Sequence, residues 1–153
     1  AFASSQLKRH GLHTEIVLIA SGKIVTGFDI LKAIALGASA CYSARGMMMA
    51  LGCIQALVCD SGNCPVGIAT QEPKRYEGID VGNKAQRVAS FHTNTIKATA
   101  EIMEACGFNN ISEVSPERFF IRIDATTTFS FQEVYFKNEI ETLLHQQIHY
   151  TQN

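Results

Sequence analysis

Apolar and polar positions change period several times along the chain. "EIVLIA", Glu15–Ala20, is a short, mostly β-branched apolar run that stops at "SGK". Near-continuous apolar character is what a strand covered on both faces requires, so the run predicts a strand of a parallel sheet. In "TGFDILKAIALG" the period becomes helical. Phe28, Leu31, Ile34 and Ala35 share one stripe, Thr26 with Asp29 makes a capping-box start, and Gly37 is placed to end the helix. "ASACYSARG", residues 38–46, predicts a second short strand ending near Ser43, and "MMMAL" predicts a helix after it. Strand, helix, strand, helix is the rhythm of β/α units on a parallel sheet, an α/β fold.

Beyond residue 64, Pro65, Gly67, Pro73 and Gly78 mark a loop. From Asp80 to Cys106, Val81, Ala85, Val88, His92, Ile96, Thr99 and Met103 recur at three- and four-residue steps. This predicts one long helix, capped by Asp80 and ended by Gly107, with His92 as a hydrogen-bonded packing residue on its apolar stripe. The pattern then weakens. "SPERFFIRI" fits one helical turn with Pro116 at its first position, "TTTFSFQEVYF" alternates faintly, and "KNEIETLLHQQIHYTQN" is a polar amphipathic tail.

Composition narrows the function classes. The chain has 153 residues, 46% hydrophobic and 18% charged, which suits a soluble globular protein with a core. A formal net charge of −1 offers no electrostatic case for nucleic acid or an anionic membrane. The longest apolar run, around Met47–Leu57, is broken by Gly52 and Cys53, so no membrane span is expected in this segment. "AFASSQLKRHG" lacks both an initiator Met and the order of a signal peptide, so the chain is expected to be a piece of a longer polypeptide. Five cysteines, three of them within residues 51–71, argue against a secreted disulfide framework and for a reducing compartment, the cytoplasm.

Two features carry candidate chemistry. Each predicted strand ends in a small-residue turn, "ASGK" at 20–23 and "YSARG" at 42–46. Such turns suit a phosphate group: glycine admits the backbone, helix-start amides favour the dianion, and Lys23 and Arg45 add charge. The same residues also serve as ordinary tight connections, and no P-loop or dinucleotide fingerprint is present. The second feature is Cys53, Cys59 and Cys64, spaced C-x₅-C-x₄-C, which does not fit zinc spacing and has no fourth ligand close by. The trio reads either as ligands of a three-iron cluster or as three buried structural cysteines. Cys41 and Cys106 read as packing residues, and so does the run Met47–Met49. His10, His13, His145 and His149 read as solvated side chains.

In this order, "LIASGKIVTGFDILKAIALGA", "CYSARGMMMALGCIQALVC" and "NCPVGIATQEP" resemble the C-terminal part of the synthase domain of the FMN-binding glutamate synthase family, in its short archaeal type. The resemblance runs from about Leu18 to Gly107 and weakly to about Phe136. It implies the last two β/α units of a (β/α)₈ TIM barrel plus an iron–sulfur loop at 51–71, all within residues 1–107, with 108–153 as a C-terminal extension. By position, Cys53, Cys59 and Cys64 match ligands of a [3Fe–4S] cluster. Ser21, Gly22 and Lys23 match the turn after the seventh strand, where the family binds flavin phosphate. Ser43, Ala44, Arg45 and Gly46 match the turn after the eighth. Two positions depart from the family's pattern: "CDSGNC" places Asp60, Ser61 and Gly62 where Asn is common, and Tyr42 stands where many members carry Asn.

The implied reaction reduces 2-iminoglutarate, formed from 2-oxoglutarate and ammonia, to glutamate. Electrons pass through the cluster to FMN, and the ammonia comes from glutamine in the full enzymes. A complete barrel takes about 250 residues, so the rest of the barrel, the catalytic residues and an electron donor are expected elsewhere, and the chain alone is expected to be inactive. Two other readings remain at this point: a flavin and iron–sulfur oxidoreductase with a different substrate, or a non-catalytic iron–sulfur module for electron transfer or structure.

Overall fold

A computed structural model of the chain describes residues 1–137; the tail pattern beyond Lys137, with His145 and His149, lies outside the described residues. The chain opens with α1 (Phe2–Arg9), a helix the hydrophobic pattern did not announce because its only buried residue is Ser4. There follow β1 (Ile19–Ser21), α2 (Gly27–Ala35) and β2 (Ala40–Tyr42). The strands pair in parallel, with Ile19 opposite Ala40, Ala20 opposite Cys41 and Ser21 opposite Tyr42. This is the β/α/β order expected from the sequence, but the first strand is shorter. The front of "EIVLIA" is drawn into a turn in which Glu15 and Ile16 donate to the Leu12 carbonyl, and Ile16 and Val17 stay exposed. Only Ala20 and Cys41 are partly covered, whereas Ile19, Ser21, Ala40 and Tyr42 are exposed. One face of the strand pair is therefore bare, against the expectation of a strand covered on both sides.

α2 starts as its sequence predicts. The Asp29 amide donates to Thr26 Oγ1 at 3.2 Å and the Thr26 amide donates to Asp29 Oδ2 at 3.0 Å, closing a capping box. Burial pushes the Asp29 carboxyl up, but hydrogen bonds from Thr26 and Val25 and the charge of Lys32 outweigh it, leaving it below the usual carboxylate range. Leu31 is fully buried and Ala35 nearly so. Gly37 follows in the left-handed region (φ +100°), and a β-carbon there would collide with the Ser4 side chain, which seats α1 on the end of α2.

After β2 come α3 (Ala44–Leu51), the short α4 (Pro73–Tyr76) and the long α5 (Val81–Ala105). Asp80 caps α5 by accepting from the Asn83 amide at 3.0 Å. α5 packs on both shorter helices at glycines. A β-carbon on Gly27 would lie 2.7 Å from the Thr99 nitrogen, and one on Gly46 would lie 2.9 Å from Phe91 Cζ. The covered side of α5 thus runs through Val88, Phe91, Thr95, Thr99 and Ile102, rotated from the predicted stripe. Val81, Ala85, His92 and Ile96 are exposed, so His92 is not the packing residue its position suggested.

Two 3₁₀ turns, Ile111–Glu113 and Pro116–Arg118, lead to a hairpin of β3 (Phe120–Arg122) and β4 (Thr128–Ser130), then α6 (Phe131–Tyr135). The central core joins this stretch to α2: Leu31 and Ala35 pack with Phe108, Phe119 and Phe131. The Phe119 ring lies 6.4 Å from Phe108 and 5.6 Å from Phe131. The described residues form a mixed α/β unit without a closed barrel. None of their helices is long and apolar enough to cross a membrane.

Candidate functional site

The turn after β1 holds Ser21, Gly22 and Lys23. Gly22 (φ +102°) and Lys23 (φ +57°) both take left-handed backbone. A β-carbon on Gly22 would enter open space, with no atom of the described residues within 4 Å of it. After β2, Ser43 precedes α3, but its hydroxyl makes no cap bond to the helix. It donates instead to the Ile24 carbonyl at 2.6 Å and ties the second turn to the first. Ala44 and Arg45 are exposed on the first turn of α3, while Gly46 is buried against Phe91. The predicted phosphate residues thus divide: Ser21, Gly22, Lys23, Ala44 and Arg45 face solvent, whereas Ser43 and Gly46 hold the turn together.

A cavity of about 460 Å³ unites these parts. Ser21, Gly22, Lys23, Ala44 and Arg45 of the turns line it together with Cys53 and Cys59 of the cysteine loop. Tyr42, Met48 and Met49 complete its wall. The methionines assigned to packing therefore wall the cavity, and no feature of the sequence distinguished them from core thioethers. Among the described residues Lys23 and Arg45 are its charged lining residues and no carboxylate lines it, so the local field favours an anion. A second cavity, about 390 Å³, lies between α1 and the C-terminal end of α2 and holds none of the predicted residues.

The cysteine loop begins where Gly52 (φ +102°) ends α3. Cys53 is half-buried and accepts from the Gln55 amide at 3.4 Å, and Cys59 is exposed. Cys64 is buried and lines neither cavity. Hydrogen bonds from the amides of Ala69, then Val66, Ile68 and Gly67, hold its thiol below the ordinary range despite burial. Arg75 steadies this part of the loop, donating to the Asn63 carbonyl at 3.0 Å and pairing with Glu72. Gln55 and Leu57, both at φ +57°, carry left-handed strain, and Leu57 is 86% exposed. Among the described residues, no three Cys, His, Asp or Glu side chains converge on one metal ion. Cys41 and Cys106 are half-buried, as expected of packing residues; burial raises the Cys41 thiol, and Cys106 sits against the aromatic core.

A family model described as a conserved region in glutamate synthase matches residues 1–109. The chain belongs to the glutamate synthase family. A glutamate synthase large subunit-like protein, YerD, from Bacillus subtilis is 38% identical over 116 residues, covering 76% of this chain and 22% of the relative. The archaeal glutamate synthase [NADPH] of Methanocaldococcus jannaschii is 38% identical over 122 residues, 80% of this chain and 24% of its own length. The glutamate synthase [NADPH] large chain of Bacillus subtilis is 32% identical over 117 residues and 7% of its length. The chain thus spans about a quarter or less of the glutamate synthases it matches.

Proposed function

We propose that the chain is the C-terminal part of an FMN-binding (β/α)₈ synthase domain that reduces 2-iminoglutarate to glutamate. On this reading residues 1–107 carry the last two β/α units and residues 108–153 form an extension. The observation that carries it is the single cavity on which both strand-end turns and Cys53 and Cys59 open. The residues of the turns fit a flavin phosphate. Gly22 leaves room for close approach, Lys23 and Arg45 neutralise charge, and the free amides at the start of α3 complete the anion site. Ser43 sets the separation of the turns through Ile24. FMN, when bound, supplies the hydride for the imino acid. Tyr42, Met48 and Met49 would give that site an aromatic and thioether wall.

The cysteine loop has the donor chemistry for a [3Fe–4S] cluster, three thiols that suit a reducing compartment. In the described conformation the three thiols do not converge on one metal position, and Cys64 does not line the cavity, so loading requires residues 53–64 to rearrange. The left-handed strain at Gln55 and Leu57 lies in that segment. Two relatives' names specify NADPH, and we take the electron donor and the source of ammonia, free or from glutamine, to lie outside this chain.

The test is anaerobic reconstitution of the complete polypeptide, followed by counts of flavin and iron. One FMN and three irons per chain are expected, and dithionite-reduced flavin is expected to reoxidise when 2-oxoglutarate and ammonia are added together. Zinc or no metal ends the cluster assignment. Bound flavin that ignores this pair but reoxidises with another acceptor moves the protein to a different substrate.

A further inference from the structure

We infer that Lys84 and Arg87 hold positive charge against the head of the cysteine loop and, as positioning residues, raise the reduction potential of the group that Cys53 ligates. The inference rests on the cluster reading above and gives two residues of this chain the task of tuning it. α3 ends at Gly52, and the Cys53 amide donates back to the Met48 carbonyl at 3.0 Å. The backbone of Cys53 is therefore tied to the C-terminal end of α3, the negative end of the helix dipole. That is the wrong sign for a thiolate, and for a cluster held by three of them.

Two side chains of α5 supply the opposite sign. A β-carbon on Gly52 would lie 2.8 Å from Lys84 Nζ and 3.8 Å from Arg87 Nη1, so a side chain at this position would push the ammonium away. Both charges therefore stand within roughly 9 Å of the Cys53 Cα, a range that salt screens only in part. Among the described residues neither pairs with a carboxylate. Asp80, one turn before Lys84, spends its carboxylate on the Asn83 amide at 3.0 Å. Arg75, on the far part of the loop, is neutralised by Glu72. A helix end is worth about half a charge, so one cation would offset it, and two leave a net positive field at Cys53. Fixed positive charge beside an iron–sulfur cluster favours the form that carries one more electron.

The complete polypeptide is compared as wild type, as Lys84→Gln/Arg87→Gln, as the charge-preserving Lys84→Arg/Arg87→Lys, and as Lys97→Gln, which removes a cation paired with Glu101 on the same helix. After anaerobic reconstitution, the one-electron midpoint of the cluster is read by EPR during titration with dithionite. In the metal-free protein, the ratio of iodoacetate to iodoacetamide alkylation at Cys53 is read by mass spectrometry. Both reagents need the same thiolate, so its fraction cancels and the ratio reports local charge. The double Gln variant is expected to bind the same iron, to reduce with an equilibrium constant about tenfold lower, a drop of ~59 mV, and to lose most of its preference for the anionic reagent. The charge-preserving variant and Lys97→Gln are expected to match the wild type. Iron bound with an unmoved midpoint ends only this inference, and a lowered melting temperature beside it reduces the two cations to caps of α3. An equal shift in Lys97→Gln overturns the inference as well. Wild-type protein that takes up no iron ends the cluster reading, and the alkylation ratio then decides alone: a ratio lost in the double Gln variant upholds the charge at Cys53, and an unchanged ratio overturns it.

Discussion

Ser43 shows how a functional assignment changes once contacts are known. Its place beside Arg45 suggests a ligand to phosphate, yet its hydroxyl is committed to the Ile24 carbonyl. Ser43→Ala is expected to cost about 1 kcal/mol in urea unfolding and, on the proposed function, to weaken FMN binding more than riboflavin binding in the complete protein, because that reading sets only the phosphate end on the turns. Cys64 and Cys41 are opposite cases of one chemistry. Backbone amides lower the first thiol, and burial raises the second. Because the folded-state value of Cys64 lies below its unfolded value, its thiolate stabilises the fold fully above the ordinary thiol range, and that contribution fades as pH falls through the lowered value. Pulsed alkylation across pH 6–10, read by mass spectrometry, should show Cys64 titrating at lower pH than Cys41. None of this could be read from the sequence, since neither the amides around Cys64 nor the partner of Ser43 has a signature in side-chain identity.

Helix ends were readable because their chemistry is local. Thr26 and Asp29 form the capping box that their spacing implied, Asp80 caps the long helix, and Gly37 takes the left-handed turn. Thr26→Ala should remove about 1 kcal/mol from stability, measured by thermal unfolding. Asp29→Asn should keep part of the box but remove the acid-side loss of stability, because its lowered carboxyl supports the fold above the normal carboxylate range and ceases to do so as pH falls through its folded value. What was not readable depended on partners distant in sequence. The stripe on α5 ran through His92 and Ile96, but Gly27 and Gly46 bring α2 and α3 against Thr99 and Phe91 instead. α1 escaped notice because Ser4, not an apolar side chain, makes its packing contact.

For the molecule as a whole, the strand–helix–strand order was evident from apolar runs and glycines, and the two turns and the cysteine loop do open on one cavity. The core was not evident. Its center joins Leu31 to Phe108, Phe119 and Phe131, pairing residues whose local patterns are weak, so no periodicity linked them. Phe119→Ala should therefore cost about 3–5 kcal/mol, a loss visible as a lowered urea midpoint with the same slope.

The family model's match ends at residue 109, but the aromatic cluster that shields Leu31 continues through residues 119 and 131. A shorter protein ending at residue 109 would keep every cysteine of the loop and each of the paired turns, yet lose two of the rings, Phe119 and Phe131, that keep water from the helix between the strands. A truncation that keeps this cover must therefore lie downstream of α6, and the stretch beyond the family model is the one that closes the core over α2.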